Sequence, residues 1–112
     1  MAFDHQYHES TQTRQELELT SGPVVVEFGA NWCGICGGFT PQAAAAFAPY
    51  PQVQHIRFED GPGKRLGRSF GVKLWPTFVF LRDGQVVQKS VRPSRAEVEQ
   101  GLRAIASERE AS

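Results

Sequence analysis

Sulfur and net charge are both scarce in this chain. Its 112 residues include two cysteines and one methionine. The cysteines, Cys33 and Cys36, stand so close that a bond between them would close a tiny loop and stabilise the fold little. A disulfide-stapled scaffold is excluded. Twelve lysines and arginines balance twelve aspartates and glutamates, so no long-range field draws the chain to nucleic acid or to an anionic membrane. No segment is long and apolar enough to span a bilayer, and the polar stretch from Met1 to Gln12 lacks the apolar run of a signal peptide. The expected location is the cytoplasm, with no membrane partner. No second Cys-x-x-Cys or His-x-x-x-His pair is present to complete a zinc site, His5 and His8 being the nearest pair, so neither a metal nor another cofactor is expected.

What is present is the composition of an ordinary globular protein, 40% hydrophobic and 21% charged. The length suits one domain over residues 1–112, with 1–10 either weakly ordered or an edge strand. A short helix is predicted from Thr11 to Thr20, stopped by Ser21-Gly22-Pro23. Val24 to Phe28 is a β-branched apolar run suited to a central strand covered on both faces. The alanine-rich stretch from Cys33 to about Ala48 favours a helix, interrupted by Gly37-Gly38 and bent at Pro41. Val53 to Glu59 reads as a strand, and Lys64 to Phe70 as a short helix closed by Gly71. Asp83-Gly84 between two apolar runs signals an antiparallel hairpin. Ser94 and Glu97 form a capping box ahead of Val98, Leu102 and Ile105 at helical spacing, and the end, Glu108 to Ser112, should fray. The order predicts an α/β fold, a central mixed sheet with helices on both faces.

The chemistry lies in Trp32-Cys33-Gly34-Ile35-Cys36. In a reducing compartment such a pair is redox-active or metal-binding rather than structural. Cys33 falls where a strand has ended and a helix begins, and a helix N-terminus favours an anion, which makes Cys33 the expected thiolate nucleophile. Cys36 lies one turn on, facing inward. Cys33 would attack a substrate disulfide, and Cys36 would then attack the mixed disulfide, releasing a dithiol and leaving Cys33–Cys36 oxidised. Glu27 is a carboxylate inside a strand expected to be buried. Burial raises proton affinity, which suits a general base for Cys36.

These segments, with Trp75-Pro76-Thr77 and the Asp83-Gly84 turn, resemble the thioredoxin family from about Pro23 to the C-terminus. The resemblance implies a cis peptide bond at Pro76 beside the active-site disulfide. It also implies that the backbone at Trp75 and Pro76 pairs with an extended substrate segment, Thr77 beginning the next strand. The substrate groove would take in Trp32, Gly34, Ile35, Trp75 and Arg92. Several positions depart from the family pattern. Glu27 replaces the usual aspartate and Arg57 a common lysine, so a Glu27–Arg57 pair is expected, in which the permanently charged Arg57 either holds Glu27 ionised more firmly or serves only as a buried ion bridge. Ile35 replaces the proline between the cysteines, Arg92 a glycine that lines the groove, and Trp75 a smaller apolar residue. Trp75 either narrows the groove or covers core, Trp32 either shields the site or packs, and Arg92 either selects acidic partners or is merely solvated.

The activity implied is a monomeric protein-disulfide reductase acting on disulfide-containing clients and itself reduced by a flavin-dependent thioredoxin reductase using NADPH. The Ile35 replacement leaves open a more oxidising couple, hence an oxidase or isomerase. A third reading is a binding module or chaperone that keeps the fold without turnover.

Overall fold

The computed structural model describes residues 3–106, so the frayed end expected over 108–112 lies outside the described residues. Four helices and four strands alternate as α1 (Arg14–Glu18), β1 (Pro23–Gly29), α2 (Gly34–Phe47), β2 (Gln54–Glu59), α3 (Arg65–Ser69), β3 (Thr77–Arg82), β4 (Gln85–Val91) and α4 (Arg95–Ala106). The strands form one sheet in the order β2-β1-β3-β4. β1 runs parallel to β2 and antiparallel to β3, and β3 is antiparallel to β4. The sheet is therefore mixed, as the sequence pattern requires.

Because side chains alternate across a strand, β1 serves two cores at once. Val24, Val26 and Phe28 join Leu17 of α1, Leu66 of α3, and Phe58, Val79 and Leu81 on one face. Val25 joins Phe78 and Phe80, with Ala43, Ala46 and Phe47 of α2 and Val98, Leu102 and Ile105 of α4, on the other. Val25, Phe78, Phe80, Val98, Leu102 and Ile105 are completely buried. Glu27 has the parity of Val25 and so points to the face covered by α2. That choice of face places a carboxylate under the cysteine helix.

Local signals account for most boundaries. Ser94 Oγ accepts the Glu97 backbone N–H while Glu97 Oε1 accepts the Ser94 N–H, which is the expected capping box. In the β3–β4 turn both Asp83 (φ 51°) and Gly84 (φ 79°) are left-handed, the pattern of a type I′ hairpin. α1 is shorter than predicted. Thr13 caps it in a capping box with Glu16, and Leu19 is left 79% exposed beyond the last turn while Leu17 is buried. A five-residue helix has little stability alone. Leu17 and the Arg14 guanidinium, which lies 4.0 Å from the Phe70 ring centroid, hold it to the body. Gly37-Gly38 does not break α2, whose inner face is fixed by Cys36, Ala43, Ala46 and Phe47. Residues 3–10 run along the outer edge of β2. The His8 N–H donates to the Arg57 carbonyl at 3.0 Å and the Glu59 N–H to the His8 carbonyl at 2.7 Å, a single parallel bridge.

Candidate active site

β1 ends at Gly29, and Ala30 accepts the Cys33 N–H across the turn that starts α2. Cys33 is the N-cap, in extended geometry, and its Sγ accepts the Cys36 backbone N–H at 3.2 Å. A sulfur there occupies the place of a capping oxygen, facing the unpaired N–H groups of the first turn. Both thiols are free; Cys33 is half-buried and Cys36 only 1% exposed. Burial first, and then the neighbouring Cys33 thiol, push the Cys36 pKa up to about 11. The pair is thus asymmetric: one sulfur is reachable, and the other is sealed and holds its proton.

Around the reachable sulfur the surface is apolar. Trp32 is 75% exposed and Ile35 51%, and Gly34 is exposed between the cysteines. Trp32 is therefore no core residue. Trp75 meets it edge to face, with ring centroids 5.5 Å apart, and is anchored by its indole N–H donating to Asp60 Oδ2 at 2.9 Å. Trp75 is half-buried and fixed in place beside the exposed Trp32. The Trp75–Pro76 bond is cis. Thr77 opens β3 with its side chain fully buried and its hydroxyl donating to the Leu74 carbonyl at 2.6 Å, so it braces the loop from below. Arg92, left-handed at φ 47°, donates its backbone N–H to the Pro76 carbonyl and its Nε to the Trp75 carbonyl, each at 2.8 Å. The Arg92 side chain is exposed, with its guanidinium anchored to the Trp75 backbone.

Beneath Cys36 lies a buried polar cluster. Glu27 is 0% exposed and pairs in register with Arg57 of β2. Glu27 Oε1 accepts Arg57 Nε at 3.0 Å and His55 Nε2 at 2.8 Å, and Oε2 accepts the Tyr7 hydroxyl at 2.5 Å. His55 Nδ1 accepts the Asp4 backbone N–H at 2.9 Å, so the ring carries its proton on Nε2 and is a donor toward Glu27. The Arg57 guanidinium is sandwiched between the rings of Phe3 and Tyr7, at 5.0 and 4.5 Å from their centroids. Its Nη2 also donates to Thr40 Oγ1, whose hydroxyl donates to the Cys36 carbonyl. Arg57 therefore braces the turn that carries Cys36.

The expected Glu27–Arg57 pair is present, and its hold on the ionised form prevails over the effect of burial. Burial alone would raise the proton affinity of Glu27; the hydrogen bond from His55 and the charge and hydrogen bond of Arg57 outweigh burial and hold the carboxyl below the usual range. Tyr7 shifts the other way. Burial, then the Glu27 charge and the hydrogen bond to it, push the phenol far above its ordinary value. Sequence reasoning missed His55 and Tyr7. Alternation along β2 puts His55 on the face of Arg57 and could have revealed it. Tyr7 sits in a polar stretch without periodicity and gave no such signal.

The same organisation recurs in known proteins. A thioredoxin family profile matches residues 5–104. The chain is 37% identical over 73 residues to a thioredoxin of Chlamydia muridarum, covering 65% of this chain and 72% of that one. It is 32% identical over 83 residues to an H-type thioredoxin of Ricinus communis, covering 74% and 70%. The reduced structure of thioredoxin 2 from Pseudomonas aeruginosa superposes with a TM-score of 0.80 at 50% identity, covering 93% of this chain and 97% of that one. With this fold and a Cys-x-x-Cys pair at the start of α2, the chain is a thiol–disulfide oxidoreductase that reduces protein disulfides, and it belongs to the thioredoxin family.

Proposed function

We propose that Cys33 is the nucleophile and Cys36 the resolving thiol, with Glu27, kept ionised by His55 and Arg57 and therefore free to take up a proton, the base that serves Cys36. In the first step the Cys33 thiolate attacks one sulfur of a client disulfide. A Cys33–client bond forms, the client S–S bond breaks, and the electron pair leaves on the second client sulfur. Cys36 then loses its proton and attacks Cys33 Sγ. The Cys33–Cys36 disulfide forms and the first client sulfur leaves as a thiolate that takes a proton from solvent. The observation that supports these roles is the asymmetry of the pair, with Cys33 half-buried at the N-cap and Cys36 sealed below it.

The groove of Trp32, Gly34, Ile35, Trp75, Pro76 and Arg92 receives an extended client segment, Thr77 bracing it from beneath, and Arg57 sets the charge state of Glu27. The wholly apolar rim at Trp32 and Ile35 supports contact with peptide rather than with a charged small molecule. A flavin-dependent thioredoxin reductase drawing on NADPH returns the two electrons, and the chain works as a monomer in the cytoplasm, where such a donor keeps dithiols reduced. Among the described residues no helix is long and apolar enough to cross a membrane.

Reduction of an insulin-type disulfide by dithiothreitol tests the assignment. The native chain should accelerate it, Cys33→Ser should not, and Cys36→Ser should accumulate a stable mixed disulfide with the client. Full acceleration by Cys33→Ser would remove the nucleophile assignment. A reduction potential well above that of the cytosolic glutathione pool would make the chain an oxidant instead of a reductase.

A further inference from the structure

We infer that Tyr7 carries the proton between Cys36 and Glu27 during the resolving step, an inference that rests on the base role proposed for Glu27. Cys36 is sealed from solvent at 1% exposure, so its proton must leave through a neighbouring group. Glu27 offers one oxygen for this purpose. Oε1 is already occupied by Arg57 and His55, and Oε2 is covered by the Tyr7 hydroxyl at 2.5 Å. The same hydroxyl borders the thiol. A Cβ placed on Gly29 would stand 2.8 Å from Cys36 Sγ and 2.8 Å from both Tyr7 Oη and Cζ, so thiol and phenol both lie against the bare Gly29 backbone, and the Tyr7 hydroxyl is near enough to act on the Cys36 thiol, lowering its pKa against the larger effect of burial.

Tyr7 is held in that place. Its N–H donates to Asn31 Oδ1 at 2.9 Å, its carbonyl accepts Asn31 Nδ2 at 3.1 Å, and its ring faces the Arg57 guanidinium. The phenol donates to Glu27, which leaves its oxygen free to accept a further proton, since a hydroxyl can accept and donate at once. In the step, the Cys36 S–H proton passes to Tyr7 Oη while the Tyr7 O–H proton passes to Glu27 Oε2. The products are a Cys36 thiolate, an unchanged neutral tyrosine and a protonated Glu27. The thiolate attacks Cys33 Sγ and the client thiolate departs with the electron pair. The strongly raised pKa of the phenol fits a concerted double transfer, because a free tyrosinate is never required.

An aromatic disulfide that releases one chromophoric thiolate on attack by Cys33 and a second on resolution by Cys36 separates the two steps in stopped flow. Tyr7→Phe should leave the first release unchanged and slow the second by on the order of a hundredfold, within the range of general acid–base catalysis. Glu27→Gln should slow the second release as well. If Glu27→Gln is slow and Tyr7→Phe resolves at the native rate, the Tyr7 path is overturned while the base role stands. If both resolve at the native rate, the base role falls too. A measurement on the unaltered chain covers poor folding of Tyr7→Phe. Two protons moving together give a curved dependence of the second release on the deuterium fraction of the solvent, and a linear dependence overturns the relay.

Discussion

Replacing Glu27 with glutamine changes a stability that can be worked from the contacts. Arg57 is 2% exposed, and among the described residues Glu27 is the carboxylate paired with its guanidinium, through Oε1 at 3.0 Å. Removing one member of a buried ion pair typically costs about 3–5 kcal/mol, because the other charge is left unpaired in a medium that solvates it poorly. Glutamine keeps an oxygen to accept from Arg57 and His55, which puts Glu27→Gln near the lower end, about 3 kcal/mol. At roughly 4 °C per kcal/mol for a chain of this size, melting falls by about 12 °C. The pH dependence carries a definite sign. The folded carboxyl titrates below its ordinary value, so its stabilisation is complete above pH ~5 and is lost as pH falls through the folded pKa. Native and Glu27→Gln stabilities should therefore differ fully at pH 7 and converge in acid. Urea unfolding followed by circular dichroism, with an unchanged denaturant slope, measures both quantities. Adding Arg57→Met should recover much of the loss, because the stranded charge is then gone. A Glu27→Gln variant within 0.5 kcal/mol of the native chain at pH 7, or a deficit constant with pH, would refute the account of Arg57 as a charge neutralised by Glu27.

Two further outcomes follow from the groove and from the floor of the site. Arg92→Ala frees the Trp75 carbonyl that Nε now occupies at 2.8 Å, so KM for a disulfide peptide should fall a fewfold with kcat nearly unchanged; steady-state kinetics showing an unchanged or higher KM would mean that Arg92 does not compete with the client. Gly29→Ala puts a methyl 2.8 Å from Cys36 Sγ and the Tyr7 ring, and overpacking of this kind costs about 1–3 kcal/mol. Unfolding should show that loss and stopped flow a slowed resolving step, whereas a native resolving rate would show that the thiol and the phenol need not meet over Gly29.

The order of elements was readable because their signals are local or periodic. Val24 to Phe28 has, apart from Glu27, the apolar character of a strand covered twice, and Asp83-Gly84 and the Ser94–Glu97 box act within four residues. The cysteine pair and the partnership of Glu27 with Arg57 were readable as well, since strand burial singles out a carboxylate and the resemblance to thioredoxins implies a cation at Arg57 beside it. That Arg57 would hold Glu27 ionised was readable, but the share of His55 was not, because it depends on which donors the fold brings to the carboxylate. Burial favours the neutral acid, and His55 together with Arg57, both on Oε1, reverses the balance. The end of α1 was missed because only one of its two leucines faces the core: positions two apart lie on different faces of a helix, and Leu17 is buried while Leu19 is 79% exposed.

Residues 3–10 show how a stretch with little sequence character becomes part of the chemistry. A charged cluster at the edge strand β2 cannot be covered by the two cores, which are closed by helices over the middle of the sheet. Something must exclude water from Arg57 and His55, or the Glu27 charge would be screened and the donors around it would turn to solvent. The N-terminal segment does this with few residues. Phe3 and Tyr7 close over the guanidinium, the Asp4 N–H fixes the His55 tautomer, and Asp4 Oδ2 accepts the Arg57 backbone N–H at 3.0 Å. Asn31, two residues before Cys33, grips the Tyr7 backbone on both its donor and its acceptor. The loop that carries Cys33 is thereby joined to the segment that covers Glu27. A shift in either one moves the phenol relative to the resolving thiol, so the apparently featureless start of the chain is under the same geometric constraint as the cysteines.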